Sequence, residues 1–478
     1  MRRDHGRLGP PARLNRQHLQ ARNEISMSLR TTIRSAVAPV YIKARLMQER
    51  LQSGVVWYPL DPDFIANPYP TYRELRERDP FHPSPLTGAM VISRYDDVDS
   101  VLRNYKVFSN VRGPVATRRR ASGRPVREDI AEQIENELQP SMLGLDPPDH
   151  TRLRGLVSRA FTPRQIAKME DHIRATAHAL LDEVEGQDEF DLMGNLAALL
   201  PTVVIAEMIG VPTEDRQQFK EWSDKFARVL EPNLTSSELS GVFETGRLFD
   251  EYFRGIVAER RGNPQDDLVS RLIEAEEEGD KLTESEMLVT LRLLLVAGNE
   301  TTTNLIGNGL KSLIEHPEQL ELLRQRPELI DNAIEELLRY DSPVQLDGRT
   351  TLDDFQIDRH TLKPGRPVSL LIGGANRDPE EFSDPETLDI TREDAGNISF
   401  GRGIHHCLGA PLARLEGKIA FEALLERFDD IQFGTRTPVY KPNIVLRGLK
   451  HLDIRVERSG NRRIGATEAA PETVAAAD

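Results

Sequence analysis

The residue best suited to chemistry is Cys407, the single cysteine of the chain. It lies in the loop 400–409, FGRGIHHCLG, and the helical pattern APLARLEGKIAFEALLERF follows directly. A helix N-terminus supplies a partial positive charge and free N–H groups, and both stabilise a thiolate. Gly401, Gly403 and Gly409 are expected to permit close backbone approach and left-handed conformations. The loop therefore predicts a deprotonated sulfur that can bind a metal ion such as iron.

Two other interpretations of this loop have to be weighed. A lone cysteine without context is usually a buried and unreactive residue. A zinc site formed by His405, His406 and Cys407 is disfavoured, because three adjacent ligands lack the distant partner pair of such sites. The spacing Phe-Gly-x-Gly-x-His-x-Cys-x-Gly fixes six positions in ten residues. This pattern favours an organised metal-binding loop.

A second candidate group lies in the sequence AGNETT, inside a long apolar helical pattern. The carboxylate of Glu300 and the hydroxyl of Thr301 are unusual inside an apolar helix, and this position indicates a specific role for them. The hydroxyl of Thr301 is expected to bond the carbonyl of Ala297, four residues earlier, and to bend the helix beside Gly298. The alternatives are a packing or capping role for Thr301 and a surface position for Glu300.

Four basic side chains could bind an anionic ligand. His150 and Arg154 in DPPDHTRLR are four residues apart and share one helix face. Arg349 in DGRTT and His405 in the cysteine loop are further candidates. Cations in such a group suit carboxylates. For each one taken alone, an ordinary surface charge is the alternative.

These residues together resemble the cytochrome P-450 family, over roughly Tyr58 to Val456. The loop matches all six family positions, Phe400, Gly401, Gly403, His405, Cys407 and Gly409. ANRDP, residues 375–379, matches a further family signature. Glu336-Leu-Leu-Arg339 alone would be a solvated surface pair. The resemblance implies instead a buried structural network behind the loop, joined by Arg392.

The resemblance implies a mainly α fold with small β-sheets, in which haem b lies between the long central helix and the helix after the cysteine loop. Cys407 would be the iron ligand. The family's haem contacts map onto a set of ten residues: His150, Arg154, Ala297, Gly298, Arg349, Phe400, Gly401, His405, Cys407 and Gly409. Glu300 and Thr301 would relay protons to bound oxygen.

The implied function is a monooxygenase that inserts one oxygen atom of O2 into a lipophilic small molecule. No dinucleotide fingerprint is present, so the electrons are expected from a separate ferredoxin and ferredoxin reductase. Docking is expected on a basic face made of Arg152, Arg159, Arg402, Arg414 and Lys418. The alternatives are a peroxide-driven haem-thiolate oxygenase and, less favoured, a haem-based gas sensor. By analogy, five segments line the substrate pocket: about 108–138, the helices between 214 and 253, the helix before Thr301, 344–347 and 444–448.

Composition and charge divide the chain of 478 residues into three zones. Residues 1–54 form a basic N-terminal extension, 55–458 the globular domain and 459–478 a flexible tail. The first fifty residues carry eleven Lys or Arg against three Asp or Glu, a net charge of +8, so the rest of the chain carries −23. Nucleic-acid binding is therefore not expected. The stretch 30–51 is weakly amphipathic and could touch an anionic membrane surface, although a disordered or loosely docked extension is favoured.

No apolar run long enough for a transmembrane segment occurs. The single cysteine fits a reducing compartment, and we expect a cytoplasmic protein. Hydrophobic periodicity predicts six helices, over 70–79, 164–184, 214–229, 240–260, 283–315 and 328–339. Strands are predicted in AMVISRY, GRTTL, DFQID, PVSLLIG and HLDIRV.

Overall fold

The computed structural model describes residues 40–111, 140–212, 215–231, 234–277, 282–393 and 396–458. Helices dominate it, as expected. Their bounds are 40–53, Pro62–Ala66, Tyr69–Arg78, Tyr95–Arg103, Asp149–Ser158, Pro163–Ala167, Glu170–Asp182, Leu199–Ile209, Arg216–Ala227, Ser236–Gly262, Leu268–Glu277, Glu284–Glu315, Pro317–Gln325, Ile330–Tyr340, Ile372–Ala375 and Ala410–Arg427. None of the helices in these ranges is both long and apolar enough to cross a membrane.

The central helix, Glu284–Glu315, is the longest element described and passes through the core. It begins where predicted, because Thr283 and Glu286 form a reciprocal capping box at its N-terminus. Helices Leu199–Ile209, Arg216–Ala227 and Ala410–Arg427 pack along it. A helix that is apolar around most of its circumference must be covered on several sides. The last of these neighbours, here called the proximal helix, follows the cysteine loop.

Two helix predictions need correction. The expected helix 164–184 is two helices, because the N–H of Met169 bonds the carbonyl of Ile166, three residues back, and tightens the chain into a turn. The helix expected at 240 begins at Ser236, because the side chain of Thr235 caps it together with Glu238. The sequence TSSE contains this capping signal, which hydrophobic periodicity alone does not reveal.

Within the described ranges, four small sheets accompany the helices. The largest has five strands in the order Phe81–Pro83, Met90–Ile92, Pro367–Leu371, Leu346–Thr351 and Phe108–Ser109. The three-stranded sheet is ordered Glu189–Asp191, Asp453–Arg458 and Phe428–Phe433. The two hairpins are Phe355–Ile357 with His360–Leu362, and Val439–Tyr440 with Leu449–His451. The predicted strands therefore form, and the second of these hairpins is called the C-terminal hairpin below.

The predicted boundary at residue 54 stays a prediction. Residues 40–53 of the basic extension are helical, and Glu49 in this helix is buried against the domain. Residues 1–39 and the tail 459–478 lie outside the described residues.

Candidate active site

The cysteine loop is a tight turn that glycine makes possible. Gly401 and Gly403 both have φ of +68°, the left-handed region that side chains disfavour. A Cβ on Gly403 would also lie 2.7 Å from the carbonyl oxygen of Leu102, so the loop presses against a neighbouring helix. The turn closes with the N–H of Cys407 donating to the carbonyl of Phe400 at 2.8 Å.

The sulfur of Cys407 sits at the N-terminus of the proximal helix. Removal from water raises the pKa of its thiol, while N–H bonds from Gly409 and Ala410 and the charges of Arg154 and Arg414 act in the opposite direction. The donors identify this sulfur as the place where negative charge is stabilised. A metal cation would supply the remaining stabilisation of a thiolate.

Gly409 departs from our expectation. Its φ is −84°, and no heavy atom of the protein lies within 4 Å of a Cβ built there. Neither a left-handed conformation nor close approach to the protein explains the glycine. Its observed contribution is its backbone, which caps the proximal helix and donates its N–H to Cys407.

The predicted basic residues His150 and His405 come together. Their ring centroids are 4.2 Å apart. Nδ1 of His150 and Nε2 of His405 are buried and have no hydrogen-bond partner among the described residues. Burial, then the neighbouring His150 and Arg349, lowers the pKa of the His405 imidazole to about 4. Buried polar atoms without partners are rare, so this pair indicates a polar ligand.

Arg349 and Arg154 lie beside this pair of histidines. Arg349 is 5% exposed, and its Nη1 is 2.8 Å from Oδ2 of Asp347. Arg154 is half-buried and donates from Nη2 to the carbonyl of His406 at 2.6 Å. Arg154 thereby links helix Asp149–Ser158 to the cysteine loop.

The central helix presents an open stripe at its middle. Leu293, Ala297 and Thr301, four residues apart, share one face, and Ala297 is exposed within a helix that is otherwise largely buried. The hydroxyl of Thr301 donates to the carbonyl of Ala297 at 2.7 Å, as the sequence predicted. A Cβ on Gly298 would lie 3.1 Å from Cγ1 of Ile205, so glycine allows helix Leu199–Ile209 to cross closely.

Glu300 is buried, but the structure records no contact between its carboxylate and the hydroxyl of Thr301 among the described residues. Its Oε1 lies 2.7 Å from Nζ of Lys441, next to the C-terminal hairpin. We did not anticipate Lys441, because 141 residues separate the two partners and no local pattern marks the pair.

The expected network behind the loop is present and buried. Nε and Nη2 of Arg339 lie 2.7 and 2.8 Å from the two carboxylate oxygens of Glu336. Nε of Arg392 is 3.2 Å from the same carboxylate. Arg339 also donates to the carbonyl of Asn376, whose amide bonds the hydroxyl of Ser399 at 2.8 Å. Because Ser399 precedes the cysteine loop, the network fixes the start of that loop.

Two further buried carboxylates were missed. Burial raises the pKa of Glu416 on the proximal helix to about 8, although a hydrogen bond from Thr302 opposes the shift. Its helical spacing with the buried Leu412 and Ala420 could have revealed it. Glu231 accepts hydrogen bonds from the backbone N–H groups of three successive residues, Ile444 to Leu446. No sequence signal pairs it with that segment.

Two of the expected pocket segments meet. Val344 and Leu446 form an isolated β-bridge, and the N–H of Gln345 donates to the carbonyl of Val445 at 2.8 Å. Most of the expected segment 108–138, from residue 112 onward, lies outside the described residues.

The residues fit haem on three observations. Cys407 lies at the N-terminus of the proximal helix, where backbone N–H groups can stabilise an iron-bound thiolate. The unpartnered nitrogens of His150 and His405, with Arg349, form a donor set suited to two carboxylates. The stripe through Ala297 leaves the middle of the central helix accessible for an apolar ring.

Comparison with known proteins agrees with this geometry. The sequence profile of the family "Cytochrome P450" matches residues 88–448. The chain is 41% identical to "Polyketide biosynthesis cytochrome P450 PksS" of Bacillus subtilis, with 84% of this chain and 99% of that protein covered. It is 38% identical to "Cytochrome P450 monooxygenase PikC" of Streptomyces venezuelae, over 85% and 95% of the two chains.

The crystal structure of P450BioI in complex with a hexadec-9Z-enoic acid ligated acyl carrier protein is similar as well. Its TM-score is 0.75 at 36% identity, with 83% of this chain and 99% of that chain covered. The fold and site define a haem-thiolate protein. The chain belongs to the cytochrome P450 family and is a monooxygenase that uses haem, O2 and redox partners.

Proposed function

We propose that the protein inserts one oxygen atom of O2 into a lipophilic small molecule at haem b, with electrons from a ferredoxin and its reductase. The observation that carries the proposal is the place of Cys407, in the glycine turn directly before the proximal helix and next to Arg154, which bonds the carbonyl of His406. Bound haem would supply the activation of dioxygen, and the thiolate of Cys407 would contribute electron density to it. We propose a cytoplasmic location, where the single cysteine stays reduced.

His150, Arg154, Arg349 and His405 would hold the two propionates of haem, with the arginines as charge-assisted donors. Phe400, over whose ring Arg414 stacks at 4.5 Å, would shield the sulfur from water. The backbones of Gly401 and Gly409 give the loop its shape, Ala297 keeps the middle of the central helix free of a large side chain, and Gly298 would contact haem through its backbone. Each of these roles concerns binding and orientation.

Thr301 and Glu300, both on the central helix, would deliver protons for the reaction. The hydroxyl of Thr301 donates to the carbonyl of Ala297, so its oxygen can accept a hydrogen bond from a water molecule while it stays in place. Glu300 would supply protons from a buried position next to Lys441. General acid catalysis of this kind contributes about 10²- to 10⁴-fold to a rate.

The substrate class follows from the pocket and from the relatives. The described walls, Val344, Ile444 to Leu446 and the stripe through Leu293, are mainly apolar. One relative is named for polyketide biosynthesis, and one neighbour was crystallised with a fatty acyl chain on a carrier protein. We propose a polyketide-like or fatty-acyl substrate with a long apolar portion.

The redox partner would dock near the cysteine loop. On the basic face that we assigned to docking, Arg152 pairs with Glu286, Arg402 with Asp99, Arg414 with Glu335 and Lys418 with Asp331. Arg159 is exposed. Because the pairs compensate part of the charge, we expect steering by an acidic partner to be moderate and dependent on ionic strength.

Three measurements test the function. The reduced protein with carbon monoxide should show the red-shifted absorption of a thiolate ligand, and Cys407→Ala should abolish it. A ferredoxin and reductase should support product formation from a lipophilic substrate found by its spectral shift. Turnover with peroxide alone would support the peroxide-driven alternative, and ligand binding without any product would support the gas sensor.

A further inference from the structure

The helix 40–53 carries a stripe of apolar residues on its outer face. Val40, Ala44, Met47 and Leu51 follow the spacing i, i+4, i+7 and i+11, which places them on one face. Val40, Met47 and Leu51 are 67%, 66% and 77% exposed. In a helix docked on a globular domain, such a stripe normally faces the core. Here it faces outward, so it needs another explanation.

The opposite face of the helix is held by a buried polar anchor. Glu49 is 1% exposed, and its Oε1 lies 2.7 Å from Nε2 of His82. Its Oε2 accepts the N–H of Trp57 at 3.3 Å, while Nδ1 of His82 contacts Asp79 at 3.0 Å. This anchor fixes which face points inward. The exposed stripe is therefore a consequence of the way the helix docks.

Basic residues border the stripe on both sides. Lys43 and Arg50 lie along one edge, and Arg45 lies beyond Tyr41 on the other, with its guanidinium 5.2 Å from the centre of the Tyr41 ring. The only acid within residues 40–53 is the buried Glu49. The outer surface of this helix is thus apolar at its centre and cationic at its margins.

The net charge of the chain is also unevenly distributed, with the positive charge at the N-terminal end. Residues 1–50 carry a net charge of +8, and the remaining residues carry −23. An anionic surface would repel the body of the protein and attract this end alone, which would orient the molecule. A second copy of the chain would instead bring two positive ends together.

We propose that the outer face of helix 40–53 binds the surface of an anionic lipid bilayer, with the helix lying in the plane of the interface. Long flexible apolar side chains bordered by Lys and Arg, with an aromatic residue at the margin, suit the boundary between headgroups and acyl chains. The basic residues before position 40 add to the attraction. This proposal does not depend on the catalytic assignment, because its residues lie outside the candidate active site.

Co-sedimentation of the full-length haem-loaded protein with vesicles tests the proposal. We expect binding to phosphatidylglycerol-containing vesicles, weakening as salt screens the charges, and little binding to pure phosphatidylcholine. Met47→Glu with Leu51→Glu should lower the partition coefficient at least about tenfold. Lys43→Gln with Arg50→Gln should lower it by roughly tenfold or more, since each cation near such a surface contributes.

The matched control is Leu352→Glu, which places the same charge on an apolar residue that is 48% exposed elsewhere on the domain. It should bind like the unaltered protein, and the carbon monoxide spectrum reports folding of each variant. Equal sedimentation with both lipids, or unchanged binding of the Met47 and Leu51 variant, overturns the proposal. Lipid-independent dimerisation that this variant abolishes would assign the face to a second copy and overturn it as well.

Discussion

The carboxylate of Glu300 forms a 2.7 Å ion pair with the ammonium group of Lys441, which joins the middle of the central helix to the C-terminal hairpin. Glu300 is buried and Lys441 is partly exposed. The proton delivery that we propose for Glu300 would therefore depend on a residue far away in the chain. This relationship gives the first prediction.

Lys441→Met should destabilise the protein by about 1–3 kcal/mol, because it leaves the buried carboxylate of Glu300 without its charged partner. Urea denaturation measures the change. Adding Glu300→Gln removes the unpaired charge, so the double variant should lose less than the sum of the two single variants. Lys363→Met, in an exposed ion pair with Asp354, is the control and should change stability by less than about 1 kcal/mol.

Thr301→Ala should lower product formation about tenfold or more and raise the fraction of electrons lost as hydrogen peroxide, because the hydroxyl at the open stripe is removed. The ratio of product to reduced nicotinamide consumed measures this effect. Thr303→Ala is the matched control, since its hydroxyl bonds Asn299 in the buried part of the helix. Equal ratios in the two variants would contradict a role for Thr301 in proton delivery.

Glu336→Gln should lower the free energy of unfolding by about 3–5 kcal/mol, because Arg339 and Arg392 would lose their shared buried carboxylate. Haem content after purification and thermal melting should fall together, since the network fixes the start of the cysteine loop. Glu328→Gln alters an exposed pair with Arg326 and should melt like the parent. Normal haem content in Glu336→Gln would refute the proposed link to the loop.

Glu416 predicts a dependence of stability on pH. Its pKa in the folded protein, about 8, lies above the value of an unfolded glutamate, so the folded state binds the proton more tightly. The stability from this proton is complete at pH values below the unfolded pKa and is lost as the pH rises through about 8. Glu416→Gln cannot ionise, so its melting temperature should fall less between pH 6 and 8.5. Glu426→Gln, exposed on the same helix, should retain the parent's pH profile.

Charge reversal at the proposed docking face should slow electron transfer. Arg402→Glu with Arg414→Glu should lower the second-order rate of reduction by ferredoxin about tenfold or more at low salt, with a smaller effect at high salt. Stopped-flow absorption measures the rate. Lys363→Glu reverses a paired cation that does not belong to the proposed face and should leave the rate unchanged. An unaltered rate in the double variant would exclude this face.

The sequence predicted most of what is local. The spacing around Cys407, the periodicity of the central helix and the i, i+4 relation of Thr301 to Ala297 are all written in short stretches of chain. The split at Met169 was missed, because a single tightened turn leaves hydrophobic spacing almost unchanged. The side chains that hold distant segments together were missed as well. The ion pair of Lys441 with Glu300 depends on tertiary packing, which no local pattern encodes. The same holds for the hydrogen bonds that Glu231 accepts from residues 444–446.

The three hydrogen bonds that Glu231 accepts have a mechanical consequence. Glu231 lies between helices Arg216–Ala227 and Ser236–Gly262, whereas the donors belong to the loop of the C-terminal hairpin. Breaking all three bonds at once would leave a buried carboxylate without donors, which is costly. Any displacement of these helices would therefore be transmitted to the loop. Two of the segments that we expected to line the substrate pocket are thus mechanically coupled through a single glutamate.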